Sequence, residues 1–247
     1  MALFRRLILA AVAAGALAGT TVSAVQQVTT VPLILEAERY EGDGPATAGH
    51  AHGHSHSHDI AAGDAQTHGD AGTGDAHGHA IFADAERLGF TVLANLMVGV
   101  AYALLLGAAW LLTGAPMDAR RGLLWGAGGF VAFTLAPAVG LPPELPGMAG
   151  GELAARQLWW MSAAVSAAAG LLALAFGRNR LVVAAGLAIA ALPHLVGAPH
   201  ADAFGGAPPP ELAARFAALS IGVAALFWLV LGAASGAMLR RLLPAQS

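Results

Sequence analysis

Eight of the chain's ten histidines fall in one run, GHAHGHSHSHDIAAGDAQTHGDAGTGDAHGH, from Gly49 to His79. They are His50, His52, His54, His56, His58, His68, His77 and His79, spaced by Ala, Gly, Ser and Asp, with Ile60 the one large apolar residue among them. Neutral imidazole is the commonest side-chain ligand for zinc, copper, nickel and cobalt, so an alternating His-x-His run offers several ligands without a preformed fold. The same composition cannot bury enough apolar surface to offset the entropy of ordering, and it reads as a disordered tether. The chemistry expected is capture of a divalent cation. The competing reading is a hydrophilic spacer with incidental histidines. Flexible imidazoles follow the general affinity order, in which copper and nickel precede cobalt, and binding should weaken below roughly pH 6 as the rings protonate.

Other candidates sit beside this run. In AVQQVTTVPLILEAERYE, from Ala24 to Glu41, Gln26 and Gln27 lie inside an apolar segment where uncompensated polar groups are costly. Thr29 and Thr30 follow, and Gln26 and Thr30, four apart, share a helical face. Pro32 removes a backbone donor and is expected to kink the helix. Glu36 and Glu38 stand where the apolar segment ends. This is the pattern of an ion entry site, with Gln26, Gln27 and Thr30 as a candidate path; plain hydrogen bonding between helices is the alternative. His194, in ALPHLVGAPH, is a further candidate ligand, with His200 a weaker one. Glu144 and Glu152 flank a stiff proline-rich loop and read as vestibule acids or solvated loop acids.

The elements that must position these groups are membrane helices. The chain is 57% hydrophobic and 11% charged, with a mean hydropathy of +0.64. That charged share is under half the roughly 25% of soluble domains, so an all-α polytopic bundle is expected. Six apolar segments are legible, at about Leu7–Leu35, Leu88–Leu112, Leu123–Val139, Leu153–Phe176, Leu181–Val196 and Leu212–Leu239. The organisation expected is therefore a first helix over 1–35, a disordered loop over 36–87 and a helical bundle over 88–247. The fifth segment only just reaches across a bilayer, which leaves five spans as the alternative. The first reads as a retained anchor, with a cleavable leader its competitor. The pairs Gly15/Gly19, Gly122/Gly126 and Gly232/Gly236 fit G-x-x-x-G and predict close helix contacts. Trp110, Trp125, Trp159, Trp160 and Trp228 are expected in part at the bilayer interfaces.

Charge orients this arrangement. All twelve basic residues are arginine. With six spans and a cytoplasmic N-terminus, Arg5, Arg6, Arg120, Arg121, Arg178, Arg180, Arg240 and Arg241 lie inside and Arg39, Arg87, Arg156 and Arg215 outside, as the positive-inside rule requires. The histidine run is then extracytoplasmic and both termini cytoplasmic. With no cysteine, no disulfide and no thiolate ligand is available. The sequence holds no G-x-x-x-x-G-K-[ST], H-E-x-x-H or G-x-S-x-G motif, so an enzyme is the least expected class.

The N-terminal FRRLILAAVAAGALAG and AVQQVTTVPLILEAERYE, followed by a His-rich loop, then APAVGLPPELPG, ARQLWW and ALPHLVGAPH in order, resemble the CbtA-type cobalt transporter subunits of bacteria. The resemblance spans nearly the whole chain outside the histidine run. It implies a cytoplasmic-membrane protein importing cobalt, about five spans, and a small single-span companion with its own histidines, CbtB. It implies no permanently bound cofactor; the metal is cargo. A nickel, zinc or copper transporter, and a membrane-anchored metal-binding or assembly subunit that moves nothing alone, are the alternatives.

Overall fold

The computed structural model describes residues 2–42, 73–114, 118–201 and 205–242, and every regular element among them is helical. In chain order these are α1 (Ala2–Val28), α2 (Thr30–Gly42), α3 (Thr73–Thr113), α4 (Ala119–Phe130), a π-helical turn (Val131–Leu135), α5 (Ala136–Gly140), α6 (Leu153–Phe176), α7 (Arg180–Val196) and α8 (Pro210–Leu242). Five stretches are long and apolar enough to cross a membrane: Phe4–Val28, Ala85–Thr113, Ala119–Gly140, Leu153–Phe176 and Pro210–Arg241. The shorter apolar helix α7, Arg180–Val196, is the segment whose reach the sequence leaves marginal.

Three expected boundaries differ from the sequence reading, each for a local reason. The segment expected as one helix over Leu7–Leu35 breaks at Thr29, between α1 and α2. Pro32 cannot donate to the carbonyl of Val28, four residues back, and its ring crowds that position. The loop expected over 36–87 is helical at both ends, because α2 continues to Gly42 and α3 begins at Thr73. The third segment is interrupted by the π turn immediately before Pro137.

The helices pack as a row: α3 on α1, α1 on α8, α8 on α4, and then, through the π turn and α5, the hairpin α6–α7. Glycine sets the spacing. A Cβ on Gly15 would overlap the backbone of Gly99 and Val100, and one on Gly19 that of Asn95 and Leu96. Gly122 and Gly126 interlock in the same way with Gly232 and Gly236. All three G-x-x-x-G pairs therefore lie at seams, where backbones approach too closely for any larger residue.

Successive legs run antiparallel. Ala10 of α1, Trp110 of α3 and Leu239 of α8 share one small core, so the start of α1 and the end of α8 lie at the same end of the bundle. At that end the Asp118 carboxylate caps α4 and Asn179 caps α7, accepting from the Arg121 and Val182 amides, each at 2.8 Å. The four arginine pairs, at 5–6, 120–121, 178/180 and 240–241, belong to helix ends on this side. At the opposite end, Leu33 and Ala37 of α2 pack on Leu145 and Leu212. There the proline-rich loops 141–152 and 197–209 meet through an antiparallel bridge between Met148 and Gly206. Three of the five tryptophans are buried against protein: Trp110, Trp159 and Trp228. Each fills space between helices, and Trp228 seats its indole where Gly129 has no side chain.

Candidate functional site

Several polar groups of the spanning helices lie toward the end that carries the two loops, while Ser235, buried on α8, lies toward the other. On α1 and α3 they form one node. The Asn95 amide nitrogen donates to the Gln26 side-chain oxygen at 2.6 Å and to Ser23 Oγ at 3.0 Å. Ser23 Oγ in turn donates to the Gly19 carbonyl at 2.9 Å. The close approach at Gly19 brings Asn95 within reach, so the small residue and the polar contact are two parts of one seam. Thr29 Oγ1 donates to the Val25 carbonyl at 2.7 Å, beside the helix break, and Thr30 is buried just past it. Gln27 is half-buried. Of the expected path residues, the structure ties Gln26 into an interhelical hydrogen bond.

At the loop end, Glu38 on α2 pairs with Arg87 on α3 at 3.2 Å, Glu38 half-buried and Arg87 exposed, and Glu36 is exposed on the same helix. His194 lies near the end of α7, half-buried, with its ring edge-on to Trp159 at 5.7 Å. Trp159 Nε1 donates to the Pro193 carbonyl at 3.0 Å, which fixes the tip of α7 against α6. Glu144 is bonded to Arg156 and links the first loop to α6. Glu152 caps α6, accepting from the Ala154 and Ala155 amides at 2.9 and 2.6 Å. Those two hydrogen bonds hold its carboxyl below the usual carboxylate range.

Among the described residues, no group of three or more His, Asp or Glu side chains is positioned to hold a metal ion. His50, His52, His54, His56, His58 and His68 lie outside the described residues. His77 and His79 fall on the helical backbone of α3, with their side chains outside the description. An apolar cavity of about 190 Å³ opens between α1, α3 and α8 at the arginine-rich end, lined by residues such as Leu7, Ala11, Ala103 and Leu239, with no histidine or acid.

Sequence reasoning passed over Ser23 and Asn95. The available signal is one amide side chain inside the apolar run TVLANLMV, at the height of the Gln26 pair. It also left Glu144 without a partner, because its pairing with Arg156 depends on how the loop folds back on α6.

A family model described as "Probable cobalt transporter subunit (CbtA)" matches residues 4–240. No curated protein and no solved structure gives a match.

Proposed function

The chain belongs to the CbtA family of probable cobalt transporter subunits, and from that premise we propose that it is the membrane permease, or permease subunit, importing a divalent transition-metal cation, with Co²⁺ the favoured cargo. The match over nearly the whole chain carries this reading. The node of Ser23, Gln26 and Asn95 adds to it, because polar side chains at membrane depth are costly and tend to mark ion pathways.

In this reading the histidine run (50–79) lies on the extracytoplasmic side and raises the local ion concentration. Glu36, Glu38 and His194 stand at the mouth, and Gln26, Gln27 and Thr30 line the first stretch of the path. The sidedness rests on the arginine pairs at one end and the positive-inside rule, and the shared end of α1 and α8 favours an even number of crossings. Both termini are then cytoplasmic, and the membrane is the cytoplasmic one. An inside-negative potential favours entry of a divalent cation by about 4.6 kcal/mol per 100 mV, twice the single-charge value. As a subunit, the chain has a partner; a small single-span companion with its own histidines, CbtB-like, fits that role.

A second reading, a metal-binding or assembly subunit that transports nothing alone, draws on the absence of a three-ligand cluster among the described residues. The two separate in one assay. Purified chain in liposomes is given Co²⁺, Ni²⁺, Zn²⁺ or Cu²⁺, with and without residues 49–80. A permease accumulates metal, prefers Co²⁺, and after the deletion needs more metal but reaches the same maximal rate. Replacing Gln26 or Glu36 is expected to cost more than losing the run. Binding without accumulation overturns the permease reading, equal uptake of all four ions removes the case for cobalt, and loss of transport at saturating metal after the deletion overturns the capture role.

A further inference from the structure

Several hydroxyls inside these helices return to their own backbone. Ser23, Thr29, Ser162 and Ser166 each donate to a carbonyl three or four residues back. Ser235 on α8 does not. It is 4% exposed, and its Oγ has no hydrogen-bond partner among the described residues. A buried polar group left unpaired is costly, and each such group in a folded chain calls for an explanation. Ser235 also lines the apolar cavity of about 190 Å³ between α1, α3 and α8.

Water suits this cavity poorly. A held water needs about two to four polar partners, and Ser235 is the one polar side chain among the lining residues. Of those residues, Phe4, Ile8, Leu104 and Leu111 are exposed on spanning segments, so the cavity opens toward lipid. Positive charge gathers at its outer end. Arg5 stands one turn before Ile8 on α1, and Arg240 directly follows Leu239 on α8, both exposed. Along α8, Arg240 lies about 7.5 Å beyond Ser235. Arginine stems lie along apolar surface while their heads stay at the interface, and basic pockets between spanning helices bind anionic headgroups. A phosphoglyceride has the same order of groups: a phosphate, an ester carbonyl a few bonds inward, then an apolar chain.

We propose that the cavity seats one acyl chain of an anionic diacyl phospholipid, with Ser235 donating to an ester carbonyl and Arg5 and Arg240 attracting the headgroup. Such a lipid joins α1, α3 and α8 at the end where Ala10, Trp110 and Leu239 share a core, and so reinforces the packed end of the bundle. The site lies apart from the node of Ser23, Gln26 and Asn95. It goes beyond the permease reading and stands whether or not the chain moves metal.

The test is native mass spectrometry of the purified full chain with added phosphatidylglycerol or phosphatidylcholine of the same acyl length. Wild type is expected to retain one phosphatidylglycerol and to hold it about tenfold more tightly than phosphatidylcholine. Arg5→Gln with Arg240→Gln should remove that preference. Ser235→Ala should weaken retention of both lipids about fivefold, the size of one buried hydrogen bond. A Cβ on Gly107, which lines the cavity, meets no protein atom within 4 Å, so Gly107→Leu should fill the space and abolish retention. In lipid-free detergent Ser235→Ala should melt no lower than wild type, because it removes an unpaired buried hydroxyl. Should Gly107→Leu not assemble, Ser235→Ala decides alone. Phosphatidylglycerol held equally by wild type and Ser235→Ala overturns the site, and equal retention of the two lipids by wild type overturns the anionic assignment. A second copy of the chain in place of the lipid overturns both.

Discussion

The two halves of the bundle are built differently. Toward the arginine-rich end, α1, α3, α4 and α8 run as unbroken helices, and Gly122, Gly126, Gly232 and Gly236 let α4 and α8 meet backbone to backbone. Toward the loop end, the chain carries the break at Thr29 before Pro32 and the π turn before Pro137. The polar node of Ser23, Gln26 and Asn95 belongs to the same half. In lipid, helices gain little from burying apolar surface against each other, so close packing must supply much of the cohesion. A half that is glycine-packed and regular can carry stability, and on the permease reading the half with the interrupted helices and the polar node meets the ion.

The largest expected effect breaks the packed half. Gly232→Leu drives a side chain into the backbone of Gly122 and Gly126, and helices at that distance must separate. Destabilisation of about 3 kcal/mol is expected, at the upper end for overpacking, and thermal unfolding in detergent reads it. Gly222→Ala on the same helix meets open space and should melt like wild type. If both variants behave alike, glycine spacing does not set the seam.

Asn95→Leu probes the polar half. It removes both interhelical hydrogen bonds of the node and should cost only about 1 kcal/mol of stability, the usual range for such bonds between membrane helices. Its uptake should fall further than its melting point suggests. Loss of stability in proportion to loss of uptake would make the node a packing device only.

Glu144→Gln loosens the loop from α6 by weakening the bond to Arg156, and a change below about 1 kcal/mol is expected. The smallest effect is at Glu152, which is fully solvated. Its carboxyl titrates below the usual range when α6 is folded, so its contribution is present above the ordinary carboxylate pKa and is lost as pH falls through the folded value. Glu152→Gln should therefore melt slightly below wild type at neutral pH, with the gap closing in acid.

How much of this was legible in the sequence depends on the range of the interaction. The glycine pairs, the apolar segments and the arginine pairs are local patterns, and the fold follows them closely: Leu153–Phe176 was expected and is found. Pro32 announced a disturbance but not its form, a break at Thr29. The π turn was not legible, because Pro137 sits in a run that reads as one helix. Asn95 was missed for a related reason: an isolated polar residue acquires meaning only opposite Gln26, 69 positions away. The burial of Trp228 was not legible either, because the glycine that makes room for it, Gly129, lies on another helix.

The most direct measurement is the initial rate of Co²⁺ entry into liposomes containing the purified chain, as an inside-negative potential is imposed in steps. The account predicts accumulation that rises with the potential, falls sharply in Gln26→Val, and leaves that variant's melting temperature within a few degrees of wild type. Co²⁺ that binds to the chain without entering at any potential would contradict it.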